Sequence, residues 1–332
     1  MEVNLSQIKP ALLVTGVTGG LARQLVVRLR RRYTVIGVDT RTPTRKLVGV
    51  DHFYRFRYTQ NGFENIFRNH QIDKIIHLGR ISHTGLQSGS DLVERFNQNI
   101  VGSKKLLNLG IKYGVKQVII LSSFHVYGAV PDNPIFLKED SHLRASVNFP
   151  EIRDLVELDT NSHIWMYEHK DKVKTLILRP TNIVGPLMYN AITRYFRGPL
   201  TPTLMGYDPI IQAVHERDMS RLLELAIETE LQGIYNVASD ETVPLKRAIE
   251  LSGSTSLPLP YTLVMGAAKT LRAIWKGIPP HLIDFFRFPC VIDGGKLLRD
   301  LPEFEFKYST EEALRTIDSR PRAPANFLSS SY

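Results

Sequence analysis

The sequence predicts an α/β fold: a doubly wound parallel sheet followed by a smaller mixed C-terminal lobe. Three observations predict it. Short apolar runs alternate with helical stretches through the first half of the chain. A glycine-rich turn joins the first run to the first helical pattern. After Gly185-Pro186 the alternation stops, and Pro186, Pro199, Pro202 and Pro209 punctuate a stretch of little periodicity.

The elements follow in order. Ala11–Thr15 is the first strand, ended by Gly16, Gly19 and Gly20. Leu21, Leu25 and Leu29 share one side of the next helix, and Tyr33–Val38 is the second strand. Further strands are expected at Phe53–Tyr58, Lys74–Leu78, Gln117–Leu121 and Thr175–Leu178. Helices are expected at Phe63–Asn69, Leu92–Tyr113 and Ile152–Tyr167, the second ended by Gly110 and Gly114. Beyond the proline stretch, 210–215 reads as a strand, Asp218 as the N-cap of a helix over 219–229, and Gly233–Val237 as a strand. Helices are expected over 244–251 and 261–276. Ser309-Thr310-Glu311-Glu312 is a capping box that opens a last short helix.

Composition narrows the function. The chain has 332 residues, 43% hydrophobic and 23% charged, the balance of a globular protein. Cys290 is the one cysteine, so an intrachain disulfide and a Cys-rich zinc site are excluded. The histidines show no ligand spacing, and no metal is expected. No apolar run approaches the ~18 residues that span a bilayer, and the N-terminus lacks the pattern of a signal peptide. The expectation is a cytoplasmic protein without a membrane partner. The net charge of +9 admits nucleic acid, anionic membrane or phosphate as a partner. The Arg28, Arg30, Arg31 and Arg32 run is read as a solvated helix end.

The glycine turn decides for phosphate and against nucleic acid. Gly16-x-x-Gly19-x-x-Ala22 follows a strand and opens a helix. Such a turn lets backbone N–H groups and the helix dipole meet a pyrophosphate, here over Gly16, Thr18, Gly19, Gly20, Leu21 and Ala22. Ala22 permits close packing on the sheet. Asp39 ends the second strand, where a carboxylate accepts both ribose hydroxyls and repels a 2′-phosphate, favouring NAD over NADP. Arg41 weakens that preference slightly. The sheet is therefore read as Rossmann-type. A NAD-binding domain is expected over 1–185, its sheet completed by parts of 210–238. A small ligand lobe over 186–318 and a mobile tail over 319–332 complete the chain.

From these residues outward the chain resembles the extended short-chain dehydrogenase/reductase family, the NAD-dependent epimerase/dehydratase group that acts largely on nucleotide sugars. Thr15-Gly16 through Ala22 is similar to its cofactor turn, and Asp73–Leu78 to its fourth strand. Asn97–Ser103, Ser122–Gly128, Leu178–Pro186, Val214–Asp218, Gly233–Val237 and Asp293–Lys296 resemble later signatures in the same order. The resemblance implies NAD as cofactor, with Thr40, Leu78 and Asn99 also touching it. It implies a nucleotide-sugar-like ligand near Ser123, Asn182 and Arg217, and a homodimer through the helices at 92–113 and 152–167.

The chain departs from the family where the chemistry lies. Active members use Tyr-x-x-x-Lys, the Tyr as acid/base and the Lys to lower its pKa and hold ribose. In register, Phe149 replaces the Tyr and Arg153 the Lys, while Ser123 keeps the family's Ser. A phenyl ring has no proton to transfer; an arginine can still bind cofactor ribose. Two readings stay open. The first is a NAD(H)-binding pseudoenzyme, a sensor, scaffold or regulator with a protein partner. The second is an active epimerase, dehydratase or reductase in which His125, two residues past Ser123, supplies the acid/base.

Overall fold

A computed structural model describes residues 9–43, 45–80, 89–149, 152–262, 264 and 282–317. The expected helix over 261–276 and the tail over 319–332 lie almost wholly outside the described residues.

Six strands come first: β1 (Ala11–Thr15), β2 (Thr34–Asp39), β3 (His52–Arg55), β4 (Ile72–His77), β5 (Gln117–Leu121) and β6 (Lys174–Pro180). Seven more follow: β7 (Asn182–Val184), β8 (Leu200–Leu204), β9 (Ile210–Ile211), β10 (Ala213–His215), β11 (Gly233–Val237), β12 (Val243–Pro244) and β13 (Thr255–Leu259). The helices used below are α1 (Gly20–Leu29), α2 (Gln60–Asn69), α3 (Gly89–Phe96), α4 (Ser103–Lys112), α5 (Ala145–Asn148), α6 (Arg153–Glu168), α7 (Ala191–Phe196), α8 (Glu216–Glu228) and α9 (Leu245–Leu251).

One seven-stranded sheet runs β11-β6-β5-β4-β1-β2-β3, every pair parallel. Its central strands are apolar on both faces, as a sheet covered on both sides requires; Leu12, Leu13 and Val14 are fully buried. On one face Leu12 and Val14 pack with Leu21, Leu25 and Leu29 of α1 and with Met219, Leu222 and Leu223 of α8. On the other, Leu13 and Ile75 pack with Phe63 of α2 and Leu106 of α4. A separate cluster fills the C-terminal lobe around Phe196, Phe285 and Ile292. Of the stretch 210–238, β11 is the part that joins the main sheet.

Several expected boundaries are corrected. The third strand stops at Arg55 rather than Tyr58, because Tyr58 turns inward and its N–H donates to Gln98 Oε1 at 2.9 Å. The helix expected over 92–113 is interrupted by a π-turn at Asn97–Gly102. Gly110 lies inside α4; Gly114, at φ 74°, ends it. The stretch 210–215 is two strands, since the Gln212 amide is turned inward onto Ile292. β9 pairs antiparallel with β12, and β10 pairs parallel with β7. The cap of α8 is His215, whose Nδ1 accepts the Arg217 N–H at 3.1 Å. Asp218 sits in the first turn, accepting the N–H groups of Lys307 and Tyr308 at 3.0 Å each. The proline stretch holds α7 and β8, the latter paired with β13. The Ser309–Glu312 capping box is formed.

Two buried polar networks lie under the strand ends. Arg179 of β6 reaches Asp159 of α6 with two hydrogen bonds, at 2.6 and 3.0 Å, and both side chains are essentially solvent-free. The same guanidinium donates to Tyr127 Oη and to the Glu139 carbonyl, and Tyr127 donates to Asn236 Oδ1. In the second network His77 bridges Thr15 Oγ1 and Ser103 Oγ at 2.7 Å each, and burial pushes its imidazole down to about 4.

Arg179→Met strands the Asp159 carboxylate and lowers unfolding free energy by about 3–5 kcal/mol; urea unfolding reads this, and a loss under about 1 kcal/mol contradicts it. His77 gives a pH effect. Unfolded, it takes a proton near pH 6.5; folded, only near pH 4. Its contribution is whole above pH 6.5 and is lost as the pH falls toward 4, by about 3 kcal/mol at most. Urea midpoints measured at both ends should fall less in His77→Gln; an equal fall contradicts the assignment.

Candidate functional site

The strand order reverses at β1 and β4, where one half of the sheet is wound toward each edge. Ligands of such sheets bind there, at the carboxyl ends of the strands. The structure has a cleft of about 480 Å³ at this place. Its floor is the glycine turn after β1 and Leu78 after β4; its far wall is Ser122-Ser123 after β5 and Thr181-Asn182 after β6; the loop Leu187–Ile192 covers it.

The turn is shaped for a close ligand. Gly16 adopts φ 69°, and a Cβ there would stand 2.6 Å from Gly79 Cα, so only glycine fits. The Gly16 N–H donates to the Val38 carbonyl at 2.8 Å, tying the turn to β2. A Cβ on Gly20 would fall 2.2 Å from the Leu187 carbonyl. Above Gly19 the space is open apart from the Gly16 carbonyl. No side chain caps α1, so the first N–H groups of a ten-residue helix are offered to the cleft that Gly20, Leu21 and Ala22 line. That is what a pyrophosphate requires, and the cradle fits a dinucleotide.

Asp39 lies beneath the turn, 3% exposed. One oxygen accepts the Thr18 N–H at 3.0 Å and the Thr18 hydroxyl at 2.7 Å. The other accepts the Arg41 N–H at 3.0 Å, and the Arg41 guanidinium closes over the carboxylate at 3.2 and 3.3 Å. Burial pushes the Asp39 pKa up, but the hydrogen bonds from Arg41 and Thr18 outweigh it and hold the carboxyl below its usual value. Arg41, rather than Asp39, is what lines the cleft, and Thr40 connects the two. The guanidinium itself is largely exposed.

Farther along, Ser123 Oγ and His125 Nδ1 are 2.8 Å apart, and both residues line the cleft. The His125 ring packs against Phe285 of the C-terminal lobe, centroids 4.8 Å apart. Phe149 is 3% exposed and packs under Gly128 and toward the same Phe285 ring. Arg153 points outward and pairs with Glu157 at 2.9 Å. Asn99, on the π-turn, is buried and donates to Asp154 at 2.6 Å. The side chains that α6 and the residue before it present to the cleft are Leu155 and Ile152.

Sequence reading missed these two aliphatic residues, because their roles depend on where α6 starts within its own turn. It also missed Glu216. This buried carboxylate accepts the Leu187 N–H at 3.0 Å, and Gly185 leaves room for it, so it pins the covering loop. Burial raises its pKa, against the pull of the Leu187 hydrogen bond. Asn182 lines the cleft and donates to the Gln212 carbonyl at 3.0 Å. Arg217 does not join Ser123 and Asn182: it lines a separate cleft between α1 and α8. Between His125 and the C-terminal lobe the space narrows to about 20 Å³, bounded by Phe285, Phe286 and Ile211.

Comparison with known proteins agrees with this geometry. An uncharacterized protein of Mycobacterium tuberculosis is 29% identical over 264 residues, covering 76% of this chain and 69% of its own. The UDP-glucose 4-epimerase of Thermus thermophilus, solved with NAD, superposes with a TM-score of 0.73 at 22% identity, over 93% of this chain and 98% of that one. The dTDP-glucose 4,6-dehydratase of Bacillus anthracis, also solved with NAD, gives 0.68 at 17% identity, over 93% and 95%. The model of the NAD dependent epimerase/dehydratase family matches residues 12–241, a span that takes in the glycine turn, Asp39 and the Ser123–His125 strand end. The chain belongs to the NAD-dependent epimerase/dehydratase family.

Proposed function

We propose that this chain holds NAD(H) in the cleft and works as a sensor, scaffold or regulator with a protein partner, rather than turning over a nucleotide sugar. The observation that carries this is the wall beside Ser123. Ile152 and Leu155 stand there, Phe149 is packed away, and Arg153 pairs outward with Glu157. Neither aliphatic side chain can move a proton. Bound NAD(H) supplies hydride chemistry. The chain's own residues hold it: the turn from Gly16 to Ala22 its pyrophosphate, Asp39 its ribose, and Leu78 its flank. The closed space of about 20 Å³ beside His125 supports the same reading, since a hexose does not fit without moving Phe285 and Phe286.

A second reading keeps catalysis. The Ser123–His125 pair at 2.8 Å is a donor–acceptor couple in the right cleft. The epimerases and dehydratases among its relatives point to a nucleotide sugar as its substrate.

Calorimetry tests the cofactor that both readings share, and a turnover assay separates them. In calorimetry NAD(H) should bind, and Asp39→Ala should weaken it about tenfold or more; no binding, or no effect of Asp39→Ala, refutes the cofactor assignment. With UDP- and dTDP-glucose added, the nicotinamide absorbance should stay flat and no product should form. Turnover that falls about 10²-fold or more in His125→Ala, yet survives in Phe149→Leu, establishes the second reading instead.

We also propose a cytoplasmic homodimer. Among the described residues no helix is long and apolar enough to cross a membrane. Val93 and Phe96 of α3, Val101 of the π-turn, and Ile164 and Tyr167 of α6 are exposed, on the two helical stretches expected to pair. Sedimentation should show a dimer that Ile164→Glu converts to monomer. A monomeric parent protein contradicts this.

A further inference from the structure

A second cleft, of about 640 Å³, lies between α1 and α8. Cations enter it from three elements: Arg23 and Arg28 from α1, Arg217 and Arg221 from α8, and Lys307 from the segment before the last capping box. The one carboxylate in its lining is Asp218, which is fully buried. Asp218 is already engaged on both oxygens: one takes Arg221 at 3.0 Å, the other the N–H groups of Lys307 and Tyr308.

Three of these five cations have a carboxylate partner. Arg28 pairs with Glu224, and Lys307 with Glu305. Arg221 is matched by Asp218. Arg23 and Arg217 have no carboxylate within ion-pair distance among the described residues. Two positive charges therefore remain in the cleft, the complement of a phosphate dianion.

One of the two is held in place. The Arg217 guanidinium donates to Tyr308 Oη at 3.2 Å. Tyr308 is itself fixed, by its N–H on Asp218 and by its ring stacked on His215, centroids 3.9 Å apart and 20° from parallel. An arginine oriented in this way loses less freedom on meeting an anion than a loose surface one. Val27, Leu187 and the arginine stems give the cleft an apolar side, room for a group carried by the phosphate. Leu187 and Arg23 also line the NAD cleft, so the two cavities share a wall.

We infer that the α1–α8 cleft is a second ligand site, for a small phosphate-bearing molecule held by Arg217 and Arg23. The inference does not rest on the NAD reading, since none of its observations involves the glycine turn.

The test is calorimetric titration of the full chain with inorganic pyrophosphate, with and without saturating NAD. Pyrophosphate should bind in both conditions, more weakly as salt rises. Arg217→Gln and Arg23→Gln should each weaken it about tenfold or more, with circular dichroism unchanged. Binding that NAD abolishes would place the anion on the glycine turn and overturn the inference. Affinity indifferent to both arginine substitutions does the same, as does binding of a single-stranded oligonucleotide without pyrophosphate.

Discussion

The Arg179–Asp159 pair is the constraint on which the cleft depends. It joins β6 to α6 inside the protein, and its remaining donors go to Tyr127 and to the Glu139 carbonyl. Ser122 also donates to Asp159, and Asn236 of β11 accepts from Tyr127. One guanidinium thus fixes the end of β5, the short turn that carries His125, the helix bordering the cleft and the first contacts of the C-terminal lobe. Buried charges are costly unless every donor and acceptor is used. The cost is met here because Arg179 makes at least four hydrogen bonds in a fixed fork. Hydrophobic replacements could fill the same space, but they would not place Ser123 and His125 at a defined angle to the sheet.

The glycine turn is held by a different device. Asp39 anchors Thr18 from below while Arg41 covers the same carboxylate from the cleft side. The acid therefore serves as a structural strut under the turn, and the hydrogen bonds from Arg41 and Thr18 hold its pKa below the usual value. A carboxylate at this depth needs such partners to remain charged. In the proposed NAD complex, ribose hydroxyls in place of Arg41 would exchange one set of donors for another, which is a small net change.

Much of this is legible in the sequence, for a reason. The glycine turn, the acid after β2 and the parallel strands are specified by local residues and short spacings. Gly16 is forced by a positive φ, Asp39 by its place at a strand end, and β1 by an apolar run of five residues. What cannot be read depends on contacts distant along the chain. Gln212 breaks a strand because its amide meets Ile292, eighty residues on. Asp218 resembles a cap in sequence because its partners, Lys307 and Tyr308, lie about ninety residues away. The order of motifs groups Arg217 with Ser123, and only the packing of α8 on α1 separates them.

On the proposed reading, in which Phe149 stands where the family carries its tyrosine, packing absorbs the change. A phenol facing the nicotinamide needs a polar wall and a cation to hold its proton. Phe149 needs neither, and it joins the apolar cluster of the C-terminal lobe beside Phe285. Phe285 in turn covers His125 and, with Phe286, narrows the space between the lobes. Arg153 then has no tyrosine to assist and pairs with Glu157 at the surface. On that reading, loss of the hydroxyl, closure of the pocket and release of the cation are one coupled change. Each step follows from burying apolar surface where a polar site would otherwise need water and charge. The NAD cradle is unaffected because it is built from backbone and from Asp39, on the other side of the cleft.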